Sequence, residues 1–245
     1  MNRTLAIFKR EFAAYFGSPL AYTVTTFFLV LLGLLFFFGG LYQIVGRPFY
    51  MPRVVAVDNM FNASQLLFLL LIPALTMRLF AEERRSGTLE LLTTLPVRDI
   101  EIVMGKYLAA FGYVVFVLLL TLVYPIYVST LGNLDWGAVT AGYVGLGLVA
   151  LATLAIGVFA SSITQHQVLA FVVAVAITFP FYLLHMVSFQ FGVGAGNVLN
   201  FLAFRPHFDG IARGVIDTGD MCYFLGVSAI FLFLAHRLLG GRRWR

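Results

Sequence analysis

Charge is what this sequence has least of. Its 245 residues hold 16 Lys or Arg and 11 Asp or Glu, 11% in all, where a soluble domain carries about 25%. With 61% hydrophobic residues and a mean hydropathy of +0.94, a globular core could not cover the apolar surface, so the bilayer must be the solvent. Cysteine occurs once, as Cys222, which excludes an internal disulfide and any cysteine-cluster metal site. Lysine occurs twice, as Lys9 and Lys106. A phosphate-wrapping GxxxxGK[ST] loop is therefore ruled out: Gly105-Lys106 precedes Tyr107, and Ile100 stands where the first glycine is required. The chain does not hydrolyse ATP by that route.

Other absences narrow the function further. Carboxylates are missing from the middle of every predicted span, which disfavours an ion-coupled carrier. No span pairs a nucleophile with a base, and no histidine–carboxylate pair lies at membrane depth, which disfavours an embedded enzyme. His166 and His185 stand 19 residues apart, or ~28 Å along one continuous helix, too far to ligate one haem. The basic residues flank the spans without an aromatic-interleaved basic face, so no nucleic acid is expected. The first apolar run begins near Leu20, is too long for a cleavable signal, and lacks a small-residue cleavage site.

What remains is membrane. Residues 3–16 place Leu5, Phe8, Phe12 and Phe16 near helical spacing with Lys9, Arg10 and Glu11 between them. That pattern predicts a helix in the headgroup region, apolar side in lipid and basic side in water. Ser18-Pro19 breaks it. Six stretches then reach the ~20 apolar residues a crossing needs: about 20–45, 57–80, 107–130, 138–160, 168–187 and 221–239. Pro73 is expected to kink the second. With the N-terminus inside, 12 of the 16 basic residues fall on the cytoplasmic side, so both termini are predicted cytoplasmic. Gly142, Gly145 and Gly147 permit close helix approach in the fourth span. Gly192, Gly194 and Gly196 are expected to bend an external loop.

Nine of the charged residues crowd into 82–106, with Arg78 just ahead. Within this cytoplasmic loop (81–106) Ser86-Gly87 should end the helix continuing from the second span. Thr88 then caps a short helix with Glu90 in its first turn, Leu89, Leu92 and Leu95 on one side, and Pro96 as its stop. Asp99 is expected to cap the third span and Lys106 to snorkel to the interface. By spacing alone this is an interfacial helix that tidies a loop. Concentrated mixed charge in an apolar chain points instead to a soluble partner.

The run ERRSGTLELLxTLP at 83–96, followed by the Gly105-Lys106 pair, resembles the first intracellular loop of ABC-2 type permeases. The resemblance implies an all-α polytopic membrane protein: six transmembrane helices, an N-terminal interfacial helix at 1–19, a cytoplasmic coupling helix, and short external re-entrant helices. It implies docking of a cytoplasmic ABC ATPase on Glu82, Glu83, Arg84, Gly87, Thr88, Glu90, Leu92 and Pro96, and on Lys9, Arg10 and Glu11 of the N-terminal helix. ATP and Mg would sit on that partner, with no cofactor on this chain. A second permease copy or a related permease would complete the membrane half in a bacterial inner membrane, with room for a periplasmic or membrane accessory subunit. A dimer interface would bring together polar groups such as Thr25, Thr26, Ser64, Gln65 and Thr121.

The segment 188–220 is too polar and glycine-broken for a span, yet too apolar for a free loop, and predicts short re-entrant or interfacial helices. The string RPHFDGIARGVIDTGDMCYF at 205–224, with REFAAYFGSPLAY at 10–22 and the terminal RRW, resembles the gliding-motility-associated permeases. Its motif residues are Pro206, His207, Phe208, Arg213, Gly214, Asp217 and Asp220. Gly219 departs from the basic residue expected there, which puts an external salt bridge to Asp217 or Asp220 in doubt. The spacing of His207, Asp209, Arg213, Asp217 and Asp220 matches no metal-ligand pattern, so capping and loop pairing are their expected roles. That likeness also supports a different reading: a membrane anchor using ATP-driven shape change without export.

Overall fold

The computed structural model describes residues 3–38, 57–87, 98–215 and 217–240. Among them every regular element is a helix: α1 (Arg3–Phe16), α2 (Pro19–Phe38), α3 (Asp58–Thr76), α4 (Ala81–Arg85) and α5 (Asp99–Thr121). There follow α6 (Val123–Ser129), α7 (Trp136–Ile163), α8 (Gln167–Ser188), α9 (Val193–Leu202), α10 (Phe204–Ala212) and α11 (Thr218–Gly240). Six helical runs are long and apolar enough to cross a membrane: α2, α3 with α4, α5 with α6, α7, α8 and α11. In a bilayer the backbone must satisfy itself, which leaves the helix as the form for such segments.

Each helix break has a local cause. Pro125 has no amide to donate to the carbonyl of Thr121, and the third run breaks at Leu122 between α5 and α6. In the second run α3 passes through Pro73 and ends at Thr76, whose hydroxyl folds back onto the carbonyl of Ile72 at 2.9 Å. A turn over 77–80 then leads into α4. Gly87 closes α4 at φ +72, the left-handed stop glycine allows. The expected cap on the third span shifts by one residue: Arg98 is the N-cap, and its amide donates to Glu101 Oε2 at 2.9 Å, while Asp99 enters the first turn.

α7 is the axis of the bundle. α3, α5, α8, α10 and α11 all pack on it, and 78% of its most apolar 18-residue window is buried. Lipid tails are as apolar as leucine, so helices associate here by close packing rather than by expelling water. The small residues of α7 supply that. A Cβ at Gly142 would collide with the Phe61 ring, and one at Gly157 with the Thr76 hydroxyl. At Gly145 it would press within 3.1 Å of both Ile211 and Phe208. Gly147 differs from the expectation, since a Cβ there meets nothing within 4 Å. By contrast 28%, 17% and 22% of the corresponding windows of α2, α8 and α11 are buried. These three carry the outward faces.

Span-embedded polar groups turn inward. Thr25 Oγ1 lies 3.0 Å from Tyr113 Oη, and Thr121 Oγ1 lies 2.9 Å from Tyr143 Oη. Ser64 and Gln65 are 0% and 4% exposed. Four of the five groups expected at a dimer interface are thus inside one protomer, and only Thr26 is exposed. The segment after span five folds as α9 and α10, and α10 buries Phe204, Phe208 and Ile211 against its neighbours.

Gly142→Leu and Gly157→Val should each lower stability by about 1–3 kcal/mol through overpacking, read as a drop in thermal midpoint in detergent. Gly147→Ala should leave the midpoint unchanged.

Candidate functional site

The charged segment singled out in the sequence meets the N-terminal helix at one end of the bundle. Lys106, in the second turn of α5, is 1% exposed rather than snorkelling. A lysine so placed needs counter-charge, because an unpaired buried ammonium is very costly. Its Nζ lies 2.7 Å from Glu83 Oε1 on α4 and 3.2 Å from Glu11 Oε1 on α1. The Phe80 ring sits 5.5 Å beneath it. Arg10 completes the cluster, 2.7 Å from Glu11 and 3.8 Å from Glu83. Two carboxylates and two cations balance. Burial alone would raise the Glu11 carboxyl, but Lys106 and Arg10 outweigh it and hold it below the usual carboxylate range.

Two further devices bring these helices together. Gly105 lets α1 approach α5, since a Cβ there would fall 2.7 Å from Ile7 Cγ2. The aromatic side of α1 then lies on α5: Phe12 rests against Gly112, Phe16 meets Tyr113 and Phe116 edge-on, and Tyr15 stacks on Tyr113 at 4.9 Å. The sequence placed that side in lipid. Phe12 and Phe16 face α5 instead, half-buried, while Leu5 stays exposed, because the ion cluster anchors α1 beside α5. α4 is pinned from its other side by Ser161 of α7, whose hydroxyl accepts from the amides of Phe80 (3.0 Å) and Ala81 (3.2 Å) and donates to the Met77 carbonyl. Ser161 therefore caps α4 from another helix. The sequence offered two signals: a lone lysine in an apolar helix start, and the Ser161-Ser162 pair at the end of the fourth span.

A cavity of about 330 Å³ opens beside the cluster, lined by Glu11, Tyr15, Arg78, Glu82, Glu83 and Lys106 among others. Of the residues implicated by resemblance, Lys9, Arg10, Glu11, Glu82, Glu83, Arg84 and Gly87 all lie on α1 or α4 or end α4. Glu83 and Glu11 share one lysine, Arg84 is buried, and Lys9 and Glu82 are exposed. Thr88, Glu90, Leu92 and Pro96 lie outside the described residues.

A sequence model of the ABC-2 family transporter protein matches residues 18–181, about two thirds of the chain. The chain belongs to the ABC-2 transporter family. None of the curated proteins compared matches it. The ABC-2 match runs from the start of α2 into α8 and so takes in α4 and Lys106, while α1, α9, α10 and α11 lie mostly or wholly beyond it. As an ABC-2 membrane chain it is a component of transport, not itself a catalyst.

At the opposite end of this ABC-2 chain the 205–224 motif is tied by His207. Its Nδ1 lies 2.7 Å from Asp220 Oδ1 and its Nε2 2.9 Å from the Phe201 carbonyl, and its ring stacks on Tyr223 at 4.0 Å. Asp220 thus finds its counter-group at His207, without a basic residue at 219. Asp217 Oδ1 accepts from the Gly219 amide at 2.9 Å, while Arg213 Nε donates to the Asp209 carbonyl. Phe208 is in the core, Pro206 is the third residue of α10, and Gly214 turns at φ +90. Among the described residues no group of three His, Cys, Asp or Glu side chains is placed to hold a metal.

Lys106→Met should cost about 1–3 kcal/mol by taking from Glu83 its 2.7 Å partner and leaving Glu11 to Arg10 alone, read as a drop in thermal midpoint in detergent. Glu11 titrates below the ordinary value of 4.5, so its contribution is present above that pH and fades as pH falls through the lowered value. Acid should therefore erode the wild-type midpoint more steeply than that of Glu11→Gln between about pH 5 and 3.

Proposed function

We propose that this chain is the membrane permease subunit of an ATP-driven exporter whose ATPase is a separate cytoplasmic protein. The observation that supports it is the Lys106 cluster, which joins α1, α4 and the start of α5 into one unit at the end where the loop 88–97 departs. In this reading the ATPase docks on α1, α4 and that loop. Lys9, Arg10, Glu82 and Glu90 offer it charge, and the cavity beside Glu11 and Arg78 accepts one of its side chains. ATP-driven closure of the partner pushes on α4. The push passes through Lys106 to α5 and through Ser161 to α7, the helix on which five others pack. Two such bundles, as a homodimer or with a related permease, rock against each other around the export path. Their outward faces are α2, α8 and α11. ATP and Mg belong to the partner, and both termini lie in the cytoplasm.

A second reading rests on the likeness of 205–224 to gliding-motility-associated permeases: the same push deforms the membrane half within a motility or envelope machine, without export. A cargo-flux measurement on the reconstituted complex separates the two.

Affinity purification of the tagged chain from native membranes in mild detergent tests the proposal. A soluble protein bearing a Walker A motif should co-purify and be lost on Glu90→Arg while the permease remains folded. Recovery of the intact chain with no ATPase contradicts the proposal.

A further inference from the structure

We infer that the cavity between the end of α8 and helices α9–α10 is a binding site for the phosphate group of an anionic membrane lipid. The cavity measures about 740 Å³ and lies at the end of the bundle opposite the Lys106 cluster. Gly196 creates it, because a Cβ there would come within 2.8 Å of the Ser188 carbonyl, so only glycine lets α9 fold back this closely on the end of α8.

The polar lining presents donors. Asn200 Oδ1 accepts from Ser188 Oγ at 2.8 Å and faces His185 Nδ1 at 3.2 Å. With its oxygen so engaged, the amide nitrogen of Asn200, itself a lining residue of the cavity, has no partner among the hydrogen bonds of the described residues. Arg205 supplies the full charge. Its side chain is 31% exposed, and its contact with Asp209 on the same helix is loose, Nε to Oδ2 at 3.8 Å. The remaining guanidinium N–H groups suit the paired oxygens of a phosphate. Arg205 is also the second residue of α10, where the positive end of the helix dipole adds to its charge. No carboxylate is among the described residues that line the cavity. The C-terminal carbonyls of α8 oppose an anion, and the Arg205 guanidinium at the start of α10 offsets them.

The rim marks the ligand as a lipid. Phe189 and Phe191 line the opening and are 79% and 51% exposed. They follow directly on the last turn of a membrane-spanning helix, which is headgroup depth, where aromatic rings settle. A phosphate bound there comes with acyl chains, and the two rings lie where those chains enter the bilayer. The inference concerns a lipid held at this face and is independent of export.

Native mass spectrometry of the full chain in an uncharged detergent tests it, with phosphatidylglycerol, phosphate-free diacylglycerol and glycerol phosphate as separate probes. One phosphatidylglycerol should be retained per chain, at least tenfold more than either other probe. Arg205→Ala and the near-isosteric Asn200→Asp should each cut retention at least tenfold, while Arg205→Lys keeps most of it and Arg237→Ala, at the other end of the bundle, keeps all of it. Equal retention by Arg205→Ala and wild type overturns the site. Equal retention of diacylglycerol overturns the role of the phosphate. Glycerol phosphate held as well as the lipid identifies a soluble anion and overturns the lipid assignment. Because Asn200→Asp changes charge without volume, its thermal midpoint separates lost binding from lost folding.

Discussion

A lysine buried near the start of an apolar helix is the constraint from which the architecture of the α1–α4 end follows. Lys106 cannot be left uncompensated, and the two carboxylates that reach it come from different elements, Glu83 on α4 and Glu11 on α1. Satisfying it brings the N-terminal helix onto α5, which Gly105 makes sterically feasible. It also fixes α4 at the foot of the second span, where Ser161 caps it from α7. Four elements distant in sequence thereby become one body. Opening the Lys106 contacts leaves a buried ammonium unpaired, and opening those of Ser161 leaves two amides without their acceptor, which couples the four elements.

The rest of the bundle obeys the solvent. Without a hydrophobic drive between helices in lipid, contact depends on how closely backbones approach. Gly142, Gly145 and Gly157 make α7 the helix against which bulky partners such as Phe61 and Phe208 fit. Thr25 pairs with Tyr113 and Thr121 with Tyr143 within the protomer, which lowers the polar cost of those four groups. What is left on the outward faces of α2, α8 and α11 is apolar, suited to lipid or to a second bundle. A packed hub joined to a charged end suits the proposed partner acting from one side of the membrane.

Most of the fold was legible in the sequence, since length and hydropathy determine which segments cross a bilayer and Gly87 acts through local backbone chemistry, whereas the break before Pro125 was not foreseen. The candidate site was legible only in part. Periodicity showed that α1 has an apolar side, but protein and lipid are equally apolar, so pattern alone could not tell which covers it. Lys106 is four carbons long and could reach the interface or a carboxylate. The choice depends on where Glu11 and Glu83 lie, which is tertiary information. The inward turn of Thr25, Ser64, Gln65 and Thr121 was hidden for the same reason, because one polar residue on an apolar helix does not mark a direction. His207 and Asp220, 13 residues apart, meet through the turn between α10 and α11, and no helical spacing foretells that pairing.

The central claim is that the Lys106 ion cluster, rather than any one of its residues, joins α1, α4 and α5. A charge-exchange cycle tests it most directly, comparing Lys106→Glu, Glu83→Lys and the double exchange by thermal midpoint and by retention of the proposed ATPase partner. Each single reversal should lower the midpoint and release the partner, and the double exchange should restore much of both. A Lys106→Glu chain that melts like wild type and holds its partner would contradict the account.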